Sequence, residues 1–199
     1  MVTDFCGHGG TGSFAGLFYS AHLSDGSIEQ VSPAGYQLVI IPASSLAQPL
    51  FVVADGQGSL YIPNADGGTG WRVSKYDADG GILAPNFVPS FSEMPVAGAM
   101  LGTQLALGFA GSRTIGIAPA AGGALVTLPT NGFRPVPGGM TSVAGGVLVG
   151  DTQDGSLWTV LADGTASRVG PDSGDGTWFV GGDGSYMSVG TNSIDLVLP

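Results

Sequence analysis

Basic charge is nearly missing from this chain. One lysine, Lys75, and four arginines stand against 15 acidic residues in 199, for a formal net charge of −10. Such a surface cannot neutralise a run of phosphates, so nucleic acid and anionic membrane are not expected partners. Cysteine is as scarce: a lone Cys6 closes no intramolecular disulfide, which removes the oxidised framework of a small secreted domain. His8 and His22 are the only histidines, and Glu29 and Glu93 the only glutamates, so a site built from several of either has few members to draw on. No run of 18 apolar residues offers a membrane-spanning helix, and the opening MVTDFCGHGGTG lacks the basic and apolar regions of a signal peptide. Uninterrupted helical stretches are absent too. With 36 Gly and 13 Pro, nearly every segment long enough for a helix is broken.

What is present is apolar strand material punctuated by glycine. The chain is 43% hydrophobic, enough to bury a core, so the glycine does not mark a disordered low-complexity chain. Thirteen of the acids are Asp, and most sit beside Gly, where Asp stabilises turns by accepting from its own backbone. Segments around these turns lie over one another: Leu17–Val31 reads LFYSAHLSDGSIEQV, Trp71–Leu83 reads WRVSKYDADGGIL, and Leu157–Val169 reads LWTVLADGTASRV. Thr114–Leu128, TIGIAPAAGGALVTL, fits with Gly-Gly in place of Asp-Gly. Taking Gly26, Gly80, Gly123 and Gly164 as equivalent gives spacings of 54, 43 and 41 residues, bracketing a four-stranded propeller blade. Each Asp-Gly is expected in a type I′ hairpin turn.

The expected fold is therefore all-β: one β-propeller domain over residues 1–199, with about five four-stranded blades. The repeat units fall at approximately 1–32, 50–84, 95–129, 141–170 and 177–199. Gly9-Gly-Thr-Gly12 matches Gly67-Gly-Thr-Gly70, which joins the second and third strands of a blade, so Val2–Phe5 reads as a second strand. Ile194–Leu198 then supplies a late strand, and the closing blade is expected to be shared between the termini, removing exposed edges. Two segments fit poorly. Tyr36–Pro42 (YQLVIIP) is strongly β-prone but lies outside the template, and Ala84–Pro95, with Pro85, Pro89 and Pro95, reads as an extended loop.

Leu50–Leu83 resembles a blade of the NHL and SMP-30/gluconolactonase-like six-bladed propellers. The shared elements are the Asp55-x-x-Gly58 turn, the Ser59-Leu-Tyr-Ile62 strand and the Asp77-x-Asp79-Gly80 ending; Asp154-Gly-Ser-Leu-Trp158 repeats the middle one. The resemblance implies the propeller fold. Its lactonases hold a divalent ion with a Glu, an Asn and an Asp at the channel mouth, and neither Glu29 nor Glu93 stands in that context, so no catalytic residue is carried over.

Four constellations carry possible chemistry. Gly7-His-Gly-Gly-Thr-Gly12 satisfies G-x-G-x-x-G, but a dinucleotide site needs a helix after it, and Phe14–Leu23 is strand-like. Cys6, His8 and His22 are too few for a structural metal site and lack a third group to orient a thiol. Asp77-x-Asp79-Gly80 and Asp151-x-x-Asp154-Gly155 lack the closing Glu of a calcium loop and read as turns. The aromatics Tyr61, Trp71, Tyr76, Trp158, Trp178 and Tyr186 recur at similar blade positions, where packing between sheets outweighs a sugar platform. No catalytic, cofactor-binding or metal-binding residue is thus expected.

The function expected is a non-enzymatic binding or assembly module with a protein or glycan partner, able to form a homo-oligomer or larger assembly. A bacteriophage virion or the extracellular space is the setting this composition suggests. A lectin-like surface propeller and a lactonase-like hydrolase are the competing readings.

Overall fold

The computed structural model describes residues 2–8, 17–129, 137–151, 153, 156–169, 177–180, 186–189 and 194–197, with backbone alone for 2–8, 137–138 and the last three segments. Every regular element among them is a strand, and all pairings are antiparallel between neighbours in the chain. The first sheet runs β1 (Val2–His8), β2 (Leu17–His22), β3 (Ser27–Val31), β4 (Gln37–Ile41). The second runs β5 (Val53–Ala54), β6 (Ser59–Ala65), β7 (Trp71–Asp77), β8 (Ile82–Phe91). The third holds β9 (Ala97–Leu101), β10 (Gln104–Phe109), β11 (Thr114–Ala118) and β12 (Val126–Thr127). The fourth holds β13 (Pro137–Val143), β14 (Gly146–Asp151), β15 (Leu157–Leu161) and β16 (Ala166–Arg168). A three-stranded fifth contains β17 (Thr177–Val180), β18 (Tyr186–Val189) and β19 (Ile194–Val197).

Contacts group the chain into two compact units, 1–94 with 121–124, and 95–120 with 125–199. In the first, Tyr19, Ala21, Ile28 and Ile41 of the first sheet pack on Leu60, Ile62 and Tyr76 of the second. In the other, Ala99, Ala106, Ile115 and Ile117 of the third sheet pack on Val147, Val149 and Val160 of the fourth. Central strands buried on both faces, such as β6 and β10, read as nearly continuous apolar runs. That is why strict alternation is weak in this sequence.

Several expectations are corrected. Tyr36–Pro42 contains β4, the fourth strand of the first sheet, so Gly26 turns between second and third strands whereas Gly80, Gly123 and Gly164 lie between third and fourth. The long first spacing is this added strand. Because β4 fills the fourth position, the first sheet has four strands without a late one: Val2–His8 pairs with β2, Ile194–Val197 with β18, and among the described residues the terminal strands share no sheet. Leu50–Ala54 shrinks to a two-residue strand, although Phe51, Val52 and Val53 are buried. Ala84–Pro95 is not a loop: β8 continues to Phe91 and bears Pro85 and Pro89. It is an edge strand, and its register against β7 shifts three times, the arrangement that accommodates residues with no N–H to give.

The turns also differ from type I′, which needs positive φ at both central residues. Gly80 and Gly164 both have φ of 86°, whereas Asp79 and Asp163 are not left-handed. Gly80 N donates to Asp77 O at 3.2 Å and Asp77 N to Gly81 O at 2.8 Å; Leu161–Thr165 repeats the pattern at 3.0 and 2.9 Å. These are three-residue loops closed by a left-handed glycine bulge, in which only the glycine needs the unusual backbone.

Candidate functional site

The outer edge of the first unit carries its most exposed apolar surface. On β4 the register shifts against β3, so that Glu29 faces Val39 while Ile28 faces Ile41. Tyr36, Leu38 and Val39 are each more than half exposed, although Ile41 turns into the core. The β7–β8 turn sits on this strand: a Cβ at Gly80 would fall well inside contact distance of Ile40 O. Immediately after that turn, Ile82 and Leu83 are also more than half exposed. Five large exposed apolar side chains thus lie on Tyr36–Val39 and at the start of β8.

Carboxylates in the described turns serve the backbone. Asp77 Oδ1 accepts from Asp79 N at 3.0 Å and Gly81 N at 2.7 Å. Asp151 accepts from Gln153 N at 2.8 Å, Asp163 from Thr165 N at 2.8 Å, and Asp25 from Ser27 N at 2.9 Å and Ser27 Oγ at 2.7 Å. Asp66 accepts from Gly68 N and Gly70 N, and from Ser90 Oγ. The Ser90 hydroxyl, then the Gly68 amide, holds the Asp66 carboxyl below the usual range. Asp154 lies outside the described residues, and the Asp77–Gly81 carboxylate is occupied as turn chemistry requires.

In the second sheet, Asp55 Oδ1 accepts from Gln57 N and Ser59 N, both at 2.9 Å, and Oδ2 accepts from Tyr61 Oη at 3.1 Å. Burial pushes the Asp55 pKa up, yet these donors outweigh it and the net shift is downward. Burial, then the Asp55 charge, pushes the Tyr61 phenol up to about 12. Lys75, opposite Tyr61 in register, places Nζ 5.1 Å from the Tyr61 ring and 5.6 Å from that of Phe87. The chain's one lysine, partly exposed, therefore lies against aromatic faces. Deeper in the same sheet, buried Asn64 donates to Ile62 O and Ser74 Oγ and accepts from Arg72 Nε at 3.2 Å.

The sequence-stated candidates separate. Gly7-x-Gly9-x-x-Gly12 begins in β1 and continues into residues outside the description, and the next described element is strand β2. Register sets Cys6 opposite Tyr19 and His8 opposite Leu17; their side chains lie outside the description. His22 meets Glu29, with Nε2 3.3 Å from Oε2. Sequence reasoning missed this pair. The signal was available: with a four-residue turn between β2 and β3, Glu29 lies two places along from the residue opposite His22. Of the aromatics, Tyr61 and Tyr76 are buried, Trp71 and Trp158 half-buried, and the side chains of Trp178 and Tyr186 outside the description. Trp158 donates to Ser156 Oγ at 2.5 Å. Among the described residues no group of three or more His, Cys, Asp or Glu gathers to hold a metal, and no helix is long and apolar enough to cross a membrane.

No family model matches the chain, and no curated protein does. Solved structures do. A streptogramin B lyase superposes with a TM-score of 0.64 at 14% identity, over 94% of this chain and 66% of its own. A catalytically inactive virginiamycin B lyase from Staphylococcus aureus, solved with quinupristin, gives 0.61 at 14%, over 94% and 68%. A protein of unknown function from Bacteroides thetaiotaomicron gives 0.57 at 15%, over 87% and 50%. The chain thus spans about two thirds of the lyases it matches. Likeness at this identity carries the fold: the sheets are β-propeller blades, and the chain is an all-β propeller protein.

Proposed function

We propose that this chain is a non-enzymatic β-propeller module that assembles with a second copy of itself through the outer edge of its first sheet. The observation behind this reading is β4. Edge strands are ordinarily blunted by charge, proline or a covering element. Tyr36–Ile41 contains no charge and no proline, the β7–β8 turn approaches it at Ile40, and Tyr36, Leu38 and Val39 lie exposed. Antiparallel pairing of Tyr36–Val39 with the same strand of a second copy is self-complementary and sets no like charges opposite one another. Ile82 and Leu83 extend the apolar contact. The commitment of Asp25, Asp55, Asp66, Asp77, Asp151 and Asp163 to turn donors favours a structural over a catalytic use of the acidity. A virion is one setting for such a module, and capsid or tail genes beside its gene would support it.

Sedimentation velocity over a wide concentration range tests the assembly. The expected result is a concentration-dependent dimer, weakened about tenfold or more by Val39→Lys, because a charged edge resists pairing. A wild-type chain that stays monomeric throughout would overturn the reading. If that monomer bound glycans with a dependence on Trp71 or Trp158, the lectin-like alternative would replace it.

A further inference from the structure

We propose that Ser20, His22 and Glu29 form a binding site for one divalent transition-metal cation of the zinc class. Tyr19, Ala21 and Ile28 enter the core shared with the second sheet. Ser20 and His22 alternate with the first two along β2, and Ser20 stands directly opposite Glu29, so all three side chains belong to the other face of the first sheet. Opposite and diagonal neighbours on one face lie within reach of a common centre.

Ser20 Oγ, on a residue 2% exposed, is buried with no hydrogen-bond partner, and the buried atom His22 Nε2 has Glu29 beside it but makes no hydrogen bond. Buried polar atoms are ordinarily satisfied, and an orphaned hydroxyl opposite Glu29, on the same face as an unaligned His22–Glu29 pair, calls for a bound group. The His22–Glu29 geometry says what. Nε2 and Oε2 lie 3.3 Å apart, yet they are not aligned as a hydrogen bond. In a tetrahedral zinc site with metal–nitrogen and metal–oxygen bonds of about 2.0–2.2 Å, neighbouring donor atoms lie about 3.3–3.5 Å apart. The pair has the separation of one edge of that tetrahedron. Ser20 Oγ offers a third donor, a second oxygen, and the fourth position is left to a water that enters with the ion. An imidazole nitrogen selects zinc-class metals over calcium or magnesium, which take oxygen donors in larger number. This site differs from the Cys6–His8–His22 grouping, which the sequence suggests and which requires a thiolate.

The test uses the full, untagged chain stripped of metal. Zn2+ titrated by calorimetry is expected to bind at one equivalent and raise the melting temperature. Co2+ is expected to give the visible bands of a four-coordinate nitrogen–oxygen site. His22→Gln and Glu29→Gln should each weaken Zn2+ about tenfold or more, and Ser20→Ala should weaken it less. Cys6→Ser and His8→Gln should leave it unchanged. The proposal is overturned if wild type shows no saturable Zn2+ binding, which would leave bound water to satisfy the Ser20 hydroxyl. A sulfur-to-cobalt charge-transfer band, or binding lost on Cys6→Ser, would overturn it equally. The cobalt spectrum is read on wild type, so the proposal stays testable if a variant fails to fold, which circular dichroism would reveal. Self-association through β4 is scored separately, so either idea can fail without the other.

Discussion

At the scale of single residues, glycine has two roles here, and they can be separated. Gly145 and Gly164 both adopt positive φ, 77° and 86°. A Cβ on Gly145 would meet open space, whereas one on Gly164 would run into Pro129 O. Gly145→Ala should therefore cost only the left-handed backbone penalty, about 1–2 kcal/mol. Gly164→Ala adds a collision with backbone and should cost about 3 kcal/mol or more. Denaturant unfolding of the two variants measures the difference; equal losses would show that the close approach carries no weight. Asp55 makes a second prediction. Its folded pKa is depressed below the ordinary value of 3.8, so its contribution is present above that pH and lost as pH falls through the lower folded value. Asp55→Asn should lower stability at neutral pH by about 1 kcal/mol or less, given solvent screening. The variant should also respond less than wild type to acidification below about pH 4. An unchanged acid profile in thermal melts would refute the assignment.

At the scale of elements, the contrast between two edge strands decides which one is sticky. Both β4 and β8 end their sheets and expose aliphatic side chains. β8 carries Pro85 and Pro89 and three register shifts, the devices that blunt an edge, and β4 has one shift and no proline. Replacing Pro85 and Pro89 together by Val restores two donors to β8 and should increase self-association in light scattering, with the added species insensitive to Val39→Lys. A double variant that behaves as wild type would mean that the prolines follow the strand's shape without protecting it. The third-to-fourth strand turns form a second recurring device. Gly80 meets Ile40, Gly122 lies against Phe87 O, and Gly164 meets Pro129, so each turn is set against a backbone carbonyl from the strand or segment that ends the preceding repeat. Glycine there is a contact requirement as much as a turn requirement.

For the whole molecule, charge opposes assembly while the edge favours it. Each copy carries a formal net charge of −10. Two like-charged copies repel over roughly a Debye length, about 10 Å at 0.1 M salt. Dimerisation through β4 should therefore strengthen as salt rises from about 0.05 to 0.5 M, opposite to an interface held by ion pairs. Sedimentation across that range reads the sign, and weakening with salt would exclude this interface.

The sequence by itself determined that the chain is all-β, where most strands lie, and that glycine closes the hairpins of its repeats. Those signals are local: a turn residue and an apolar run act within a few positions of each other. The third and fourth units were legible almost strand for strand for this reason. Tertiary structure decided the rest. Tyr36–Pro42 is β-prone as a string, but its place as a fourth strand depends on pairing with β3, and that pairing displaced the expected shared closing blade. Pro85 and Pro89 forbid a regular central strand but not a shifted edge, and only neighbours show which is present. The union of His22 with Glu29, away from any reading of Cys6 and His8 as their partners, was fixed by register across a four-residue turn. Register is set by what each face must bury, and one sequence read along its length does not display its faces.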